Sequence, residues 1–316
     1  MTLRNSLFAV SGKASFLDAR HDMSGLFICD KNTMLPIAGI LDRSQDNLVT
    51  GRGASMSVTV HPFNAVLNRY GALLIQNDGD VNVPLNAAPS ANSRIDVVYV
   101  KQNEKRSPMS DSSDIPTFGV VSGTAAAVPV APAVPAGALA LAQVLLPAGV
   151  SNTAASGVVI TQTYIGAAMK GDMLRVQTSA QRDALTSVPS GTLLHNVADN
   201  CDYVRKDGKW RGWNMPWRDI HLNNHVAHMW ASRGTAHISL TTANVNLTGW
   251  GSTVTVAQVN NSGFYPAVKA DIYAPTRDSY YPTALSVGTD GKVNAAYAGG
   301  ATGNRIASTT LTYNIG

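Results

Sequence analysis

Four histidines and a group of aromatic residues are the side chains here whose types and spacing could do chemistry. His221, His225 and His228 are spaced by four and by three, with His237 beyond. On a helix that spacing would put the imidazoles on one face, and neutral imidazole is a ready ligand for zinc and related transition metals. No carboxylate lies among them, and Asp219 is the nearest. The plainer reading is a polar segment rich in asparagine (Asn223, Asn224) beside a subunit interface. No cofactor is therefore expected, apart from the metal ion that His221, His225 and His228 could hold. The aromatic set is Trp250, Tyr265, Tyr273, Tyr280, Tyr281 and Tyr297. Ring faces of this kind suit the apolar faces of sugars, and Arg277, Asp278 and Asn294 would serve the hydroxyls. Rigid aromatics with a few polar groups are the usual lining of a ligand site. Most of these tyrosines fall in predicted strands and would pack as well in a core. Tyr280 and Tyr281, with Arg277 and Asp278, fall in a predicted loop. With Trp250 they form the expected saccharide-binding patch.

Catalytic constellations are poorly represented, and the chain is not expected to be an enzyme. A glycosidase uses a pair of carboxylates, and of the 20 acidic residues only Glu104 is a glutamate, so the pair would have to be two aspartates. No G-x-S-x-G elbow is present, and Gly51-Arg-Gly53 is too short for a nucleotide loop.

Composition points to β-structure. Charged residues make up 14% of the 316 residues, helix formers other than alanine are scarce, and β-branched and turn residues are plentiful. The formal charge of +4 is scattered, without the basic stripe that nucleic-acid binding would need. Cys29 and Cys201 lie far apart, which supports neither a disulfide framework nor a zinc knuckle. No apolar run reaches the ~18 residues of a membrane span, and the first ten residues do not read as a signal peptide. The Ala/Val/Pro run over 125–149 comes closest to a span, but its prolines exclude a helix.

Along the chain, Gly25–Cys29, Leu35–Leu41 and Ser55–Val60 each fit a strand, the last with period-two alternation. Asn77-Asp-Gly-Asp80 predicts a hairpin between Leu73–Ile75 and Val81–Val83. Ile95–Val100 is apolar on both faces, which predicts a central strand. Pro129, Pro132 and Pro135 cannot sit in one. They predict an extended arm that wraps the domain or a neighbouring subunit, before Ala138–Leu146 returns as a strand. Further on come a short helix over Thr178–Leu185 with Ser179 as its N-cap, a strand over Gly191–His195, and a hairpin turning at Asp207-Gly208. Six strands follow: Ala236–Leu240, Thr253–Ala257, Ala270–Tyr273, Ala284–Val287, Lys292–Tyr297 and Thr309–Tyr313. Their spacing predicts an antiparallel sandwich or jelly roll. Within it, a hairpin at Thr289–Lys292 sets Leu285 and Val287 against Val293 and Ala295.

The order Ile37-Ala-Gly-Ile40, Ser57-Val-Thr-Val60, Arg94-Ile-Asp-Val-Val-Tyr-Val100, Gly119-Val-Val-Ser-Gly-Thr124, the Pro/Ala arm, Pro135–Val144 and Pro147-Ala-Gly149 resembles a known pattern. It is that of the N-terminal domain of minor tail proteins (baseplate or tail-fibre proteins) of tailed bacteriophages, particularly those infecting actinobacteria. Ala180–Leu185 with Tyr203 and Asp207-Gly-Lys-Trp210 likewise resembles a small connector of phage tail proteins. The resemblance implies a mainly β protein with three parts: a β-rich attachment domain at 1–165, an α+β connector or collar at 166–220, and a C-terminal β-sandwich head at 221–316. It further implies a homotrimer at the virion tail tip, docked on other tail or baseplate proteins and binding a host cell-wall polysaccharide, with neither nucleic acid nor membrane as partner. A purely structural baseplate protein and a tail-associated depolymerase are the alternatives.

Overall fold

The computed structural model describes residues 15–41, 47–220, 222–242, 245–274, 283–299 and 302–315. The fold is mainly β, and the chain divides between Thr192 and Leu193 into two compact units.

The first unit contains α1 (Phe16–Ser24), β1 (Gly39–Ile40), β2 (Val49–Gly51), β3 (Ser57–Val60), β4 (Phe63–Asn68), β5 (Ala72–Asn77), β6 (Val81–Pro84), β7 (Arg94–Gln102), β8 (Pro116–Val121), β9 (Leu139–Leu146), β10 (Val159–Gln162), β11 (Met173–Val176) and α2 (Ser179–Ala184). Three antiparallel sheets run β1-β4-β5, β2-β3-β6 and β10-β9-β7-β8. Strand β7 is central, as its two apolar faces predict, and the returning strand β9 pairs along it from Arg94↔Leu146 to Val100↔Leu139. Val58, Val60, Val98, Val100, Leu141 and Val144 meet in one buried core. Tyr99 lies opposite Gly119 on β8. A Cβ at Gly119 would stand 2.4 Å from the tyrosine ring, so the ring lies over Gly119 as it stands and would have to swing aside for any larger residue.

Arg94 and Asp96 are two residues apart and so share a face of β7. They form a buried ion pair, with Nε to Oδ1 at 2.9 Å and Nη2 to Oδ2 at 3.0 Å. The guanidinium also donates to the carbonyls of Ala87 and Asn86, each at 2.7 Å. Asp96, 0% exposed, accepts the Gly123 N–H at 3.0 Å. The loop before β7, the strand itself and the segment leaving β8 are thereby tied together. Ala126 then bridges Ser93, and beyond it the proline arm carries Val128 and Val130 exposed.

A second polar cluster holds the loop between β7 and β8. Arg20 of α1 pairs with Glu104. Arg69 reaches Asp111 at 2.7 Å, and Lys101 reaches the other oxygen of Asp111 at 2.6 Å. The Lys101 hydrogen bond, with those from the Glu104 N–H and Arg69, holds the Asp111 carboxyl well below its ordinary value of 3.8, at about 2.

The structure revises four expectations in this region. Asn77–Asp80 does not close a hairpin, because β5 pairs with β4 while β6 pairs with β3 in another sheet. Instead the Asn77 side chain donates to the His61 and Gly79 carbonyls, turning the chain between sheets. The hairpin is one strand earlier, at Tyr70 and Gly71, both with positive φ. Gly25–Cys29 contributes isolated bridges from Phe27 and Cys29 rather than a strand. The cap of α2 is Thr178, whose hydroxyl accepts the Gln181 N–H, rather than Ser179. Helix α1, which strand periodicity does not suggest, is set by a capping box between Ser15 and Asp18.

The second unit contains β12 (Leu193–Asn196), β13 (Cys201–Lys206), β14 (Lys209–Asp219), β15 (Val226–Ser232), β16 (Thr235–Thr241), β17 (Val245–Leu247), β18 (Thr253–Gln258), a 3-10 turn at Ser262–Phe264, β19 (Ala270–Ala274), β20 (Thr283–Val287), β21 (Lys292–Tyr297), β22 (Gly303–Arg305) and β23 (Ser308–Asn314). Strands β12-β13-β14-β15-β16-β23 lie side by side in that order, and β18-β21-β20-β19 form another sheet. The β20–β21 hairpin has the predicted register, with Leu285↔Ala295 and Val287↔Val293. Turns at Asp207-Gly208 and Arg233-Gly234 have both corner residues left-handed, the geometry that matches strand twist in two-residue hairpins. Tyr203 meets Phe264 edge-on at 5.6 Å, and the Tyr313 hydroxyl donates to the Phe264 carbonyl at 2.9 Å.

Two outcomes test these contacts. Asp96→Ala strands the Arg94 charge in the core and should cost about 3–5 kcal/mol in urea unfolding. A joint replacement by apolar residues of similar volume should cost much less. Asp111 stabilises the folded state fully above pH 3.8, and this contribution is lost as pH falls toward about 2. Asp111→Asn should therefore lower stability at neutral pH and flatten the acid limb of the stability profile across that window.

Candidate functional site

Strand alternation in the second unit sends one set of side chains into the core and the other outward. On β15, Ala227, Met229 and Ala231 are buried, and on β16 so are Ala236, Ile238 and Leu240. His228 and Trp230 on β15, His237 on β16 and Thr312 on β23 therefore share the opposite face. The register sets Trp230 opposite His237, and His237 opposite Thr312. On β14 a bulge between Met215 and Arg218 places two residues, Pro216 and Trp217, against one on β15, Trp230. Bulges of this kind re-aim side chains, and here Trp217 joins the outward row.

The rings stand side by side like books on a shelf. Trp217 stacks on His228 at 4.7 Å and on Trp230 at 5.0 Å, and Trp230 stacks on His237 at 5.1 Å. Interplanar angles of 15–27° make these face-to-face contacts. The inner rings cover one another's faces and offer solvent their edges. Trp217, with His228 and Trp230 as its two stacked neighbours, nevertheless remains 57% exposed. The Asp219 carboxylate sits beside it, facing His228 Nδ1 across the strand pair. Further along the same face, His195 Nδ1 lies 2.8 Å from Asp202 Oδ1. Asn214 donates to Asp202 Oδ2 at 3.0 Å. An exposed indole with adjacent carboxylates and imidazoles offers a ligand apolar contact and acceptors for its hydroxyls.

The residues singled out from sequence are distributed differently. His221 lies outside the described residues. The helical placement of the histidines is not observed, since the chain turns at Asn223-Asn224 and enters β15. His225, in that turn, is buried, and burial pushes its imidazole below the ordinary value. His228 points outward onto Trp217. Among the described residues no three His, Cys, Asp or Glu side chains gather as a metal site. Of the expected saccharide patch, Arg277, Asp278, Tyr280 and Tyr281 lie outside the described residues. Trp250 stands exposed in the turn between β17 and β18, edge-on to Tyr297 of β21 at 5.5 Å, away from the strands of the stack. Trp217 and Trp230 were missed, although His228-x-Trp230 before Arg233-Gly234 carries the period-two signal of a hairpin arm.

No protein-family model matches this chain, and no curated protein matches it either.

A double-mutant cycle of Trp217→Ala and Trp230→Ala should return a coupling of about 0.5–1.5 kcal/mol in unfolding stability, the range for stacked aromatic pairs. A coupling of zero would show that the stack is not formed in solution.

Proposed function

We propose that this chain is a minor tail protein of a tailed bacteriophage, of the tail-fibre or receptor-binding kind. In this reading it is a homotrimer docked on the tail tip through its first unit, and its second unit binds a host cell-wall polysaccharide. One observation carries the recognition part: the outward row on β14, β15 and β16 leaves Trp217 largely exposed beside Asp219 and His228. The assembly part rests on the ordered motifs of the first unit, from Ile37 to Gly149, and on the exposed proline arm. A structural baseplate role is the second reading. It is favoured by the mutual covering of the inner rings, which serves the sheet whether or not a ligand is present.

The test is a pull-down of the purified chain on insoluble host wall polysaccharide. Retention of the unaltered chain, reduced about tenfold by Trp217→Ala and little changed by Trp250→Ala, is the expected result. Failure of the unaltered chain to bind, with incorporation into tails intact, would leave the structural role. Release of reducing ends would make the chain a depolymerase instead.

A further inference from the structure

The first unit contains a cavity of about 470 Å³ at the β4–β5 corner, a size typical of small-molecule sites. Its wall is apolar along Leu35 and Met109 and polar at Arg69, Lys101 and Asp111, with Tyr70 at its rim. We propose that this cavity is a binding site for a small carboxylate carried on a short apolar body.

The charges are unbalanced in the direction that a carboxylate would correct. Arg20, Arg69 and Lys101 face two carboxylates, Glu104 and Asp111. Both oxygens of Asp111 are engaged, Oδ1 by Lys101 and Oδ2 by Arg69 and the Glu104 N–H. An ammonium has three donors, and among the described residues only Asp111 takes one from Lys101 Nζ. Arg69 uses Nη2 on Asp111, while its Nη1 has no hydrogen-bond partner among them. Gly137, at the end of the proline arm, packs against this edge without a side chain. A Cβ on Gly137 would come within 2.7 Å of Arg69 Cδ and 3.0 Å of Nη1. A carboxylate between Nη1 of Arg69 and Nζ of Lys101 would restore the balance, with its apolar body against Leu35 and Met109.

Tyr70 supplies an independent observation. It occupies the first corner of the β4–β5 hairpin with φ of 56°, where asparagine, aspartate or glycine is preferred. A bulky residue is conformationally disfavoured there. The ring is 51% exposed, so core packing does not account for its choice. At the rim of the cavity it is placed to lie over a bound apolar body.

The experiment is calorimetric titration of the full chain with 3-phenylpropionate, its neutral amide and inorganic phosphate. The acid should bind with a dissociation constant on the order of 1 mM or tighter, and the amide and phosphate at least tenfold more weakly. Lys101→Met should weaken the acid about tenfold. Because that change also removes a partner from Asp111, Ser110→Trp is the second variant. Ser110 is exposed at the rim, and a tryptophan there should block binding while leaving thermal unfolding unchanged. Equal binding of acid and amide, or no binding of the acid, would overturn the proposal. So would phosphate binding as well as the acid, or unaltered binding by Ser110→Trp.

Discussion

The first unit depends on the buried pair of Arg94 and Asp96. Taking two charges out of water costs several kcal/mol each, and an apolar pair of similar volume is often as stable. What an apolar pair cannot do is make the directed hydrogen bonds of a planar fork. Arg94 reaches Asp96, Asn86 and Ala87, and Asp96 accepts the Gly123 N–H. Two flanking segments, the loop before β7 and the chain leaving β8, are thereby fixed to one point on β7. A shift of β7 by one residue would turn both charges to its other face, so the pair specifies the register of the sheet. The arm leaves from the same point, through Gly123 and the Ala126 bridge to Ser93, and returns as β9 alongside β7. Its course is set at its two ends, while Val128 and Val130 between them stay exposed.

In the second unit the comparable constraint is geometric. Cross-strand neighbours in a sheet are about 5 Å apart, close to the thickness of stacked rings. Aromatic side chains on adjacent outward positions therefore stack on one another. The β14 bulge carries Trp217 into that row beside both His228 and Trp230. The core beneath is shaped by a second close approach, where a Cβ at Gly212 would stand 2.5 Å from the Phe264 ring. Phe264 in turn touches Tyr203 and accepts from Tyr313. Burial pushes both tyrosine hydroxyls far above their ordinary value. They are core groups, held neutral and committed to fixed partners.

Much of the fold was legible where one local signal sufficed. The alternation in Ser57–Val60, the two-faced run in β7, and Asp207-Gly208 with its flanking apolar residues each identify an element without outside information. The signals that misled were equally local. Asn77-Asp-Gly-Asp80 has the composition of a hairpin corner, but Asn77 spends its side chain on turning the chain between sheets. The true corner uses Tyr70, and the β15–β16 corner uses Arg233, neither a typical left-handed residue. The histidine spacing of four and three is helical in arithmetic, yet two asparagines interrupt it and a strand follows. Trp217 was beyond sequence reasoning because its orientation depends on a one-residue bulge, which pairing defines and composition does not.

The stack separates two properties that aromatic content alone would confuse. A ring held within the regular ladder contributes to the sheet and leaves little surface for a ligand. A ring carried into the row by a bulge contributes to the sheet and still keeps much of its surface in water. Trp230 is of the first kind and Trp217 of the second, although each has two stacked neighbours on one face. Asp219 follows the same logic, since strand pairing sets it opposite His228 while its position at the end of β14 leaves it exposed beside the same indole. Availability for recognition therefore follows from where the ladder is interrupted, not from ring type. On this face it concentrates where β14 bulges and ends.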